Sequence, residues 1–127
     1  MHDQDAAIIK ALVPVAWADG VFAEREREML DALLDAYCAD DREKESLLEY
    51  AAQPKSLDDI DLQELSADDR RVLLQHAVLL SYADGAQSAE ELSTVEALAK
   101  KLRIPDAEAK SLIESSGARA KKLLHLI

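Results

Sequence analysis

Cysteine occurs once in the 127 residues, at Cys38, which excludes an intramolecular disulfide and a cysteine-built zinc centre and leaves that thiol as a small core residue. Glycine and proline occur only three times each, and one Phe and one Trp stand against many Ala, Leu, Glu, Asp and Lys. That balance excludes a β-rich fold and points to helices. The longest apolar runs are fragments such as Ala77-Val78-Leu79-Leu80, far short of the roughly 18 residues a membrane span needs, and no signal-peptide core is present. A cytoplasmic chain without direct membrane insertion is the expectation. Nucleophile elbow, phosphate loop and H-E-x-x-H are all missing, and His2, His76 and His125 are widely spaced, with His76 read as a core-edge residue. No enzymatic activity is expected.

Positive charge is scarce in the first half. Residues 1–66 carry 6 Lys and Arg against 17 Asp and Glu, whereas residues 67–127 carry 9 of each, so all of the formal net charge of −11 belongs to the first half. Such a surface repels phosphate backbones and favours cations or a basic protein partner, and nucleic acid is not an expected ligand. The modest basic cluster of Lys100, Lys101, Arg103, Arg119, Lys121 and Lys122 is read as complementing helix C-termini or the acidic half.

What is present is one motif used twice. Ala18-Asp19-Gly20 and Ala83-Asp84-Gly85 each follow an apolar helical run, and each aspartate is followed seven residues later by a glutamate, Glu26 or Glu91. A shift of 65 positions superposes the copies and also sets Val13 on Val78, Trp17 on Tyr82 and Leu33 on Leu98. The spacing of Ile8, Ile9, Leu12, Val13 and Ala16 predicts a first helix that begins near Asp3 or Asp5, contains Pro14 and closes at Gly20. Phe22 reads as a hydrophobic staple before a second helix starting near Ala23, with Met29, Leu30, Leu33, Leu34 and Tyr37 along its stripe. Asp40-Asp41 caps a third that ends before Pro54.

Residues 53–66 form the only candidate linker, yet Leu57, Ile60, Leu62 and Leu65 predict a short helical turn packed on the core. Ser66 or Asp68 starts the next helix, with Val72, Leu73, Ala77, Val78 and Leu80 inward. Ser88 with Glu91 forms a capping box for another, whose stripe is Leu92, Val95, Leu98, Ala99 and Leu102 and which stops before Pro105. A sixth helix follows Pro105-Asp106, and a last runs after Gly117 with Ala120, Leu123, Leu124 and Ile127. The expectation is an all-α single domain over 1–127, a bundle of about seven helices. It is built from two pseudo-symmetric helix-turn-helix repeats, about 5–39 and 67–104, because neither hairpin can bury its stripe alone.

Asp19 to Glu26 has the spacing of the second half of an EF-hand loop, but Val15 and Trp17, or Leu80 and Tyr82, stand where the first ligands would be. Neither copy is an EF-hand. If the turns of the two repeats meet, Asp19, Glu26, Asp84 and Glu91 place four carboxylates around one point, a site for a calcium- or magnesium-type divalent ion, with Glu24, Glu28 and Glu90 nearby. The alternative is that each aspartate satisfies free N–H groups at its turn and each glutamate closes a capping box. Trp17 and Tyr82 read as core aromatics beneath the turns.

The paired segments Trp-Ala-Asp-Gly-Val-Phe-Ala-Glu-Arg-Glu and Tyr-Ala-Asp-Gly-Ala-Gln-Ser-Ala-Glu-Glu resemble the TerB-like family over about residues 5–115. That family includes the tellurite-resistance protein and a related domain of a membrane-anchored DnaJ-type co-chaperone. The resemblance implies an all-helical fold of about seven helices, a bacterial stress-response setting and a divalent-metal site with Asp19, Glu26, Asp84 and Glu91 at the acidic positions. It also implies no established enzymatic activity. A protein partner, basic or membrane-associated, is expected. Gln87 replaces the apolar residue that Phe22 supplies in the first copy, and the cap is Ala23 in one copy and Ser88 in the other. The rivals are a metal-free acidic adaptor and a metal-assisted hydrolase, the latter without a separate general base.

Overall fold

The computed structural model of the chain describes residues 3–17, 24–37, 39–53, 55–82 and 87–123. Among them the elements are α1 (Asp3–Ala16), α2 (Glu24–Ala36), α3 (Asp41–Ala51), two 3-10 turns (Leu57–Asp59 and Leu62–Glu64), α4 (Ala67–Ser81), α5 (Ala89–Lys101) and α6 (Asp106–Leu123), with no strand. The expected helix closure at Gly20, the Phe22 staple, the Ala23 cap position, the core assignment of Cys38, the stop at Pro54 and the C-terminal Leu124 and Ile127 lie outside the described residues.

Local chemistry sets the helix starts. Asp40 accepts from the Glu43 N–H at 2.8 Å while Glu43 accepts from the Asp40 N–H at 3.0 Å, and Ser66 with Asp69 makes the same reciprocal pair at 3.1 Å in both directions. Each pair satisfies two N–H groups that a helix start leaves without partners, and its acid sits at the positive end of the helix dipole. The end of α5 is closed by a Schellman pair, Ile104 N–H to Ala99 O at 3.2 Å and Arg103 N–H to Lys100 O at 3.0 Å. Arg103 takes φ 60° there, the left-handed conformation that usually falls to glycine. Sixty-five residues earlier, Ala39 N–H reaches Leu34 O at 3.0 Å in the same way at the end of α2.

Helix bounds keep the same offset. Shifted by 65, Glu24–Ala36 falls on Ala89–Lys101 at both ends, and the start of α3 at Asp41 falls on the start of α6 at Asp106.

α4 is the central helix and packs on α1, α5 and α6, while α1 also touches α2, α3, α5 and the first 3-10 turn. The core follows the apolar stripes: Ile8, Ile9, Leu12, Val13 and Ala16 on α1, Leu30 and Leu34 on α2, Leu73, Ala77, Val78 and Leu80 on α4, and Val95, Leu98, Ala99 and Leu102 at α5. Each fully buried Leu or Ile in this set contributes about 1.5–3 kcal/mol by leaving water. Leu74, absent from the predicted stripe, is also completely buried, because α4 is covered on three sides. Val72, Leu92, Met29 and Leu33, expected inward, are half-buried.

The connector packs as expected, through buried Ile60 and Leu65, but as two 3-10 turns rather than one. Arg70 holds it in place: its guanidinium donates to Leu62 O at 2.8 Å, Leu65 O at 3.3 Å and Leu102 O at 3.3 Å, joining the connector to the end of α5. Arg71 pairs with Glu108 across α4 and α6.

One expectation is corrected. Gly117 does not separate two helices; α6 runs through it from Asp106 to Leu123, so the described residues hold six α-helices rather than about seven. The glycine is buried against Tyr82, whose Oη lies 3.4 Å from where a Cβ would stand. It lies inside the helix and ends nothing.

Candidate functional site

The end of α1, the first turn of α2, the end of α4 and the first two turns of α5 converge on a cavity of ≈ 90 Å³. Its wall contains Val15 and Leu80, Ala16 and Ser81, and Glu26 and Glu91, three pairs each 65 positions apart. Ala77, Ser88, Glu90, Thr94 and Val95 complete it. Equivalent residues of the two sequence copies therefore meet at one point, and two of the four acids expected at the site are among them. Asp19 and Asp84, the other two, lie outside the described residues.

Glu91 is half-buried and already serves the helix it starts, since one carboxylate oxygen accepts from the Ser88 N–H at 3.1 Å and its own N–H donates to Ser88 Oγ at 3.1 Å. This is the expected capping box. A carboxylate carries about four lone-pair sites, so capping and cation binding are compatible. Glu26 is half-buried in the first turn of α2. Both glutamates stand in the first turn of their helices, close to the N-terminal end of the helix dipole.

The polar remainder of the wall is oxygen. Ser81 is buried, with 8% of its surface exposed, and donates its hydroxyl to Val78 O at 2.6 Å while accepting from the Gln87 amide at 2.7 Å. Thr94 Oγ1 donates to Glu90 O at 3.0 Å. A wall with carboxylate and hydroxyl oxygens and no imidazole or thiolate suits a hard cation of the calcium or magnesium type. Among the described residues, no group of three or more His, Cys, Asp and Glu is assembled closely enough to hold a metal ion.

Sequence reasoning missed Ser81 and Thr94 in this wall. The usable signal was the repeat itself: Ser81 stands where the first copy has Ala16, so it is a hydroxyl placed in an otherwise apolar stripe. The departure at Gln87 also acquires a role, since its amide reaches that hydroxyl.

Elsewhere, His76 meets Tyr37 edge to face, with ring centroids 5.8 Å apart and Oη to Nε2 at 2.7 Å. Burial lowers the His76 pKa, and burial followed by the charge of Asp5 raises that of Tyr37. The pair joins the end of α2 to α4 beyond the cavity wall. The basic cluster is partly committed: Lys101 pairs with Asp58 of the acidic half at 2.8 Å, and Lys121 lies over the Tyr82 ring at 5.7 Å.

The chain is thus an all-α module with a carboxylate-lined cavity between the two copies of one helical motif. The family described as tellurite resistance protein TerB matches residues 6–114, and the chain belongs to that family. No curated protein and no solved structure matches it. No helix among the described residues is long and apolar enough to cross a membrane.

Proposed function

We propose that this chain is a cytoplasmic, non-enzymatic stress-response module of the tellurite-resistance type, which binds a divalent cation between two pseudo-symmetric repeats and docks a protein partner. The observation that carries the reading is the convergence of Glu26 and Glu91, with two further pairs of equivalent residues, on one cavity. Asp19 and Asp84, each seven positions before its glutamate, are the natural further ligands. The cation neutralises carboxylates that otherwise repel one another, and so favours the folded arrangement. A basic protein partner suits the first half, where a groove between α2 and α3 is lined by Glu24, Glu28 and Asp31 against a single cation, Arg27.

The test is melting in chelator and across millimolar calcium and magnesium. Either ion should raise the melting temperature of the wild type, and the increment should vanish in Glu26→Gln/Glu91→Gln and in Asp19→Asn/Asp84→Asn. No shift with any divalent ion overturns the reading.

A second reading has its own support. The Ser88–Glu91 capping box gives Glu91 a complete structural reason to be where it is, and on that basis the chain is a metal-free acidic adaptor. It requires that wild type and variants respond identically to divalent ions.

A further inference from the structure

Two grooves occupy equivalent places 65 positions apart, one between α2 and α3 and one between α5 and α6. The groove between α2 and α3, ≈ 640 Å³, is charged: Arg27 lines it together with Glu24, Glu28 and Asp31, and Leu48 is its apolar residue. Lys44 pairs with Asp35 beside it and ties the two helices together. The groove between α5 and α6, ≈ 410 Å³, differs at the equivalent positions. Leu92 replaces Arg27, Ile113 replaces Leu48, and Ala109 replaces Lys44, so the cross-tie cannot form. Ala99 and Ala109 make a buried floor, and Leu92 and Ile113 stand half-exposed above it.

The lips of this second groove have a pattern of their own. The short connection 102–105 returns the chain to α6 in contact with α5, with Lys100 and Asp106 flanking that connection and Glu96 and Lys110 each one helical turn further from it on its own helix. All four line the groove. Opposite signs on opposite lips make the surface self-complementary, because a two-fold axis running along the groove lays each lip on the opposite lip of a second copy. Glu96 then meets Lys110 of that copy, and Lys100 meets its Asp106. The same operation on the first groove would set Asp31 on Glu45, two acids, so the pattern selects the second groove alone.

We propose that α5 and α6 pair with α5 and α6 of a second copy of this chain, forming a four-helix bundle whose apolar centre is Leu92 and Ile113. The half-exposed Leu and Ile side chains supply the burial, and the lip charges supply the register. This association is independent of any cation at the inter-repeat cavity, which lies on the opposite end of α5 from Lys100 and uses different residues.

Sedimentation equilibrium of the full chain from about 1 to about 100 μM tests it, a range that detects micromolar dimers. A dimer is expected. Ile113→Lys should abolish it, and Glu96→Lys or Lys110→Glu alone should each weaken it by about tenfold. Glu96→Lys/Lys110→Glu should recover most of the affinity, since the reversed charges meet again across the axis. All three positions are at least partly exposed, so circular dichroism should show helices intact. A monomer at about 100 μM, a dimer untouched by Ile113→Lys, or a double reversal no tighter than the single ones each overturns the proposal.

Discussion

The indole N–H of Trp17 donates to the carbonyl oxygen of Ala51 at 2.9 Å, fastening the residue that precedes the first Ala-Asp-Gly sequence to the last turn of α3. Tyr82, its equivalent in the second copy, lies against Gly117 of α6. Each of these two aromatic residues thus rests on the helix that follows its repeat, Trp17 on α3 and Tyr82 on α6.

Replacing Trp17 by Phe keeps an aromatic ring but removes the donor, leaving the Ala51 carbonyl without this bond. The loss should be about 1 kcal/mol. Urea unfolding followed by circular dichroism measures it, since the substitution also removes the only tryptophan. An unchanged midpoint would mean that water replaces the indole without cost.

Two residues break the rules of helix chemistry in opposite directions, and their exchange should stabilise the protein. Gly117 lies inside α6, where alanine is favoured by about 1 kcal/mol, and a Cβ there meets Tyr82 Oη at an ordinary 3.4 Å. Gly117→Ala should raise stability by about 0.5–1 kcal/mol, whereas Gly117→Leu should lower it through the same ring. Arg103 holds φ 60° at the end of α5, so Arg103→Gly should add up to about 1 kcal/mol after the entropy glycine brings to the unfolded chain. Thermal melts of the three variants decide both signs.

Arg70→Lys should behave as a loss rather than a conservative change. The planar fork reaches three carbonyls on two segments, and a point-like ammonium cannot span them. A destabilisation of about 2 kcal/mol is expected. Hydrogen exchange should show it concentrated at residues 57–65 and at the end of α5. Uniform loss of protection over the whole chain would contradict the assignment of Arg70 as the connector's anchor.

His76 makes stability depend on pH. Burial holds its folded pKa below the ordinary value of 6.5, so the folded chain binds fewer protons than the unfolded chain through that window. Stability from this group is fully present above about pH 6.5 and is lost as pH falls through the lowered folded value. His76→Gln removes the titration, and the difference between wild-type and variant unfolding midpoints should change between about pH 7 and pH 5. Asp58 and Glu108, whose pKa values are lowered by the hydrogen bonds from Lys101 and Arg71, act only at lower pH and cancel in that comparison. A difference that stays flat with pH would show that His76 titrates alike in both states.

Helix identity and most starts and stripes could be read from one-dimensional rules. Asp40, Ser66 and Ser88 announce caps because their side chains reach N–H groups two or three residues away, and such contacts need no tertiary structure. The i, i+4 stripe of α1 is buried to its last predicted residue, because apolar spacing on a helix is a property of the helix alone. The 65-residue recurrence likewise carried through to helix bounds and to the closures at Ala39 and Ile104. The errors have a different origin. Gly117 looked like a terminator since glycine often ends helices, but its role depends on Tyr82, 35 positions away.

The sequence by itself determined the helices, their order, the acidic first half and the paired Asp-Gly motifs, since all of these follow from local propensity, periodicity and charge. Only the tertiary structure decided that Glu26 and Glu91 share a cavity wall with Ser81, that Arg70 clasps the connector, and that one groove has a single apolar residue while its equivalent has an apolar floor between charged lips. Those relations join residues tens of positions apart. They arise when α1, α4 and α5 bury their stripes together, and hydrophobic burial is non-directional: it drives the helices into contact, while side-chain shape and hydrogen-bond geometry select which residues end up face to face.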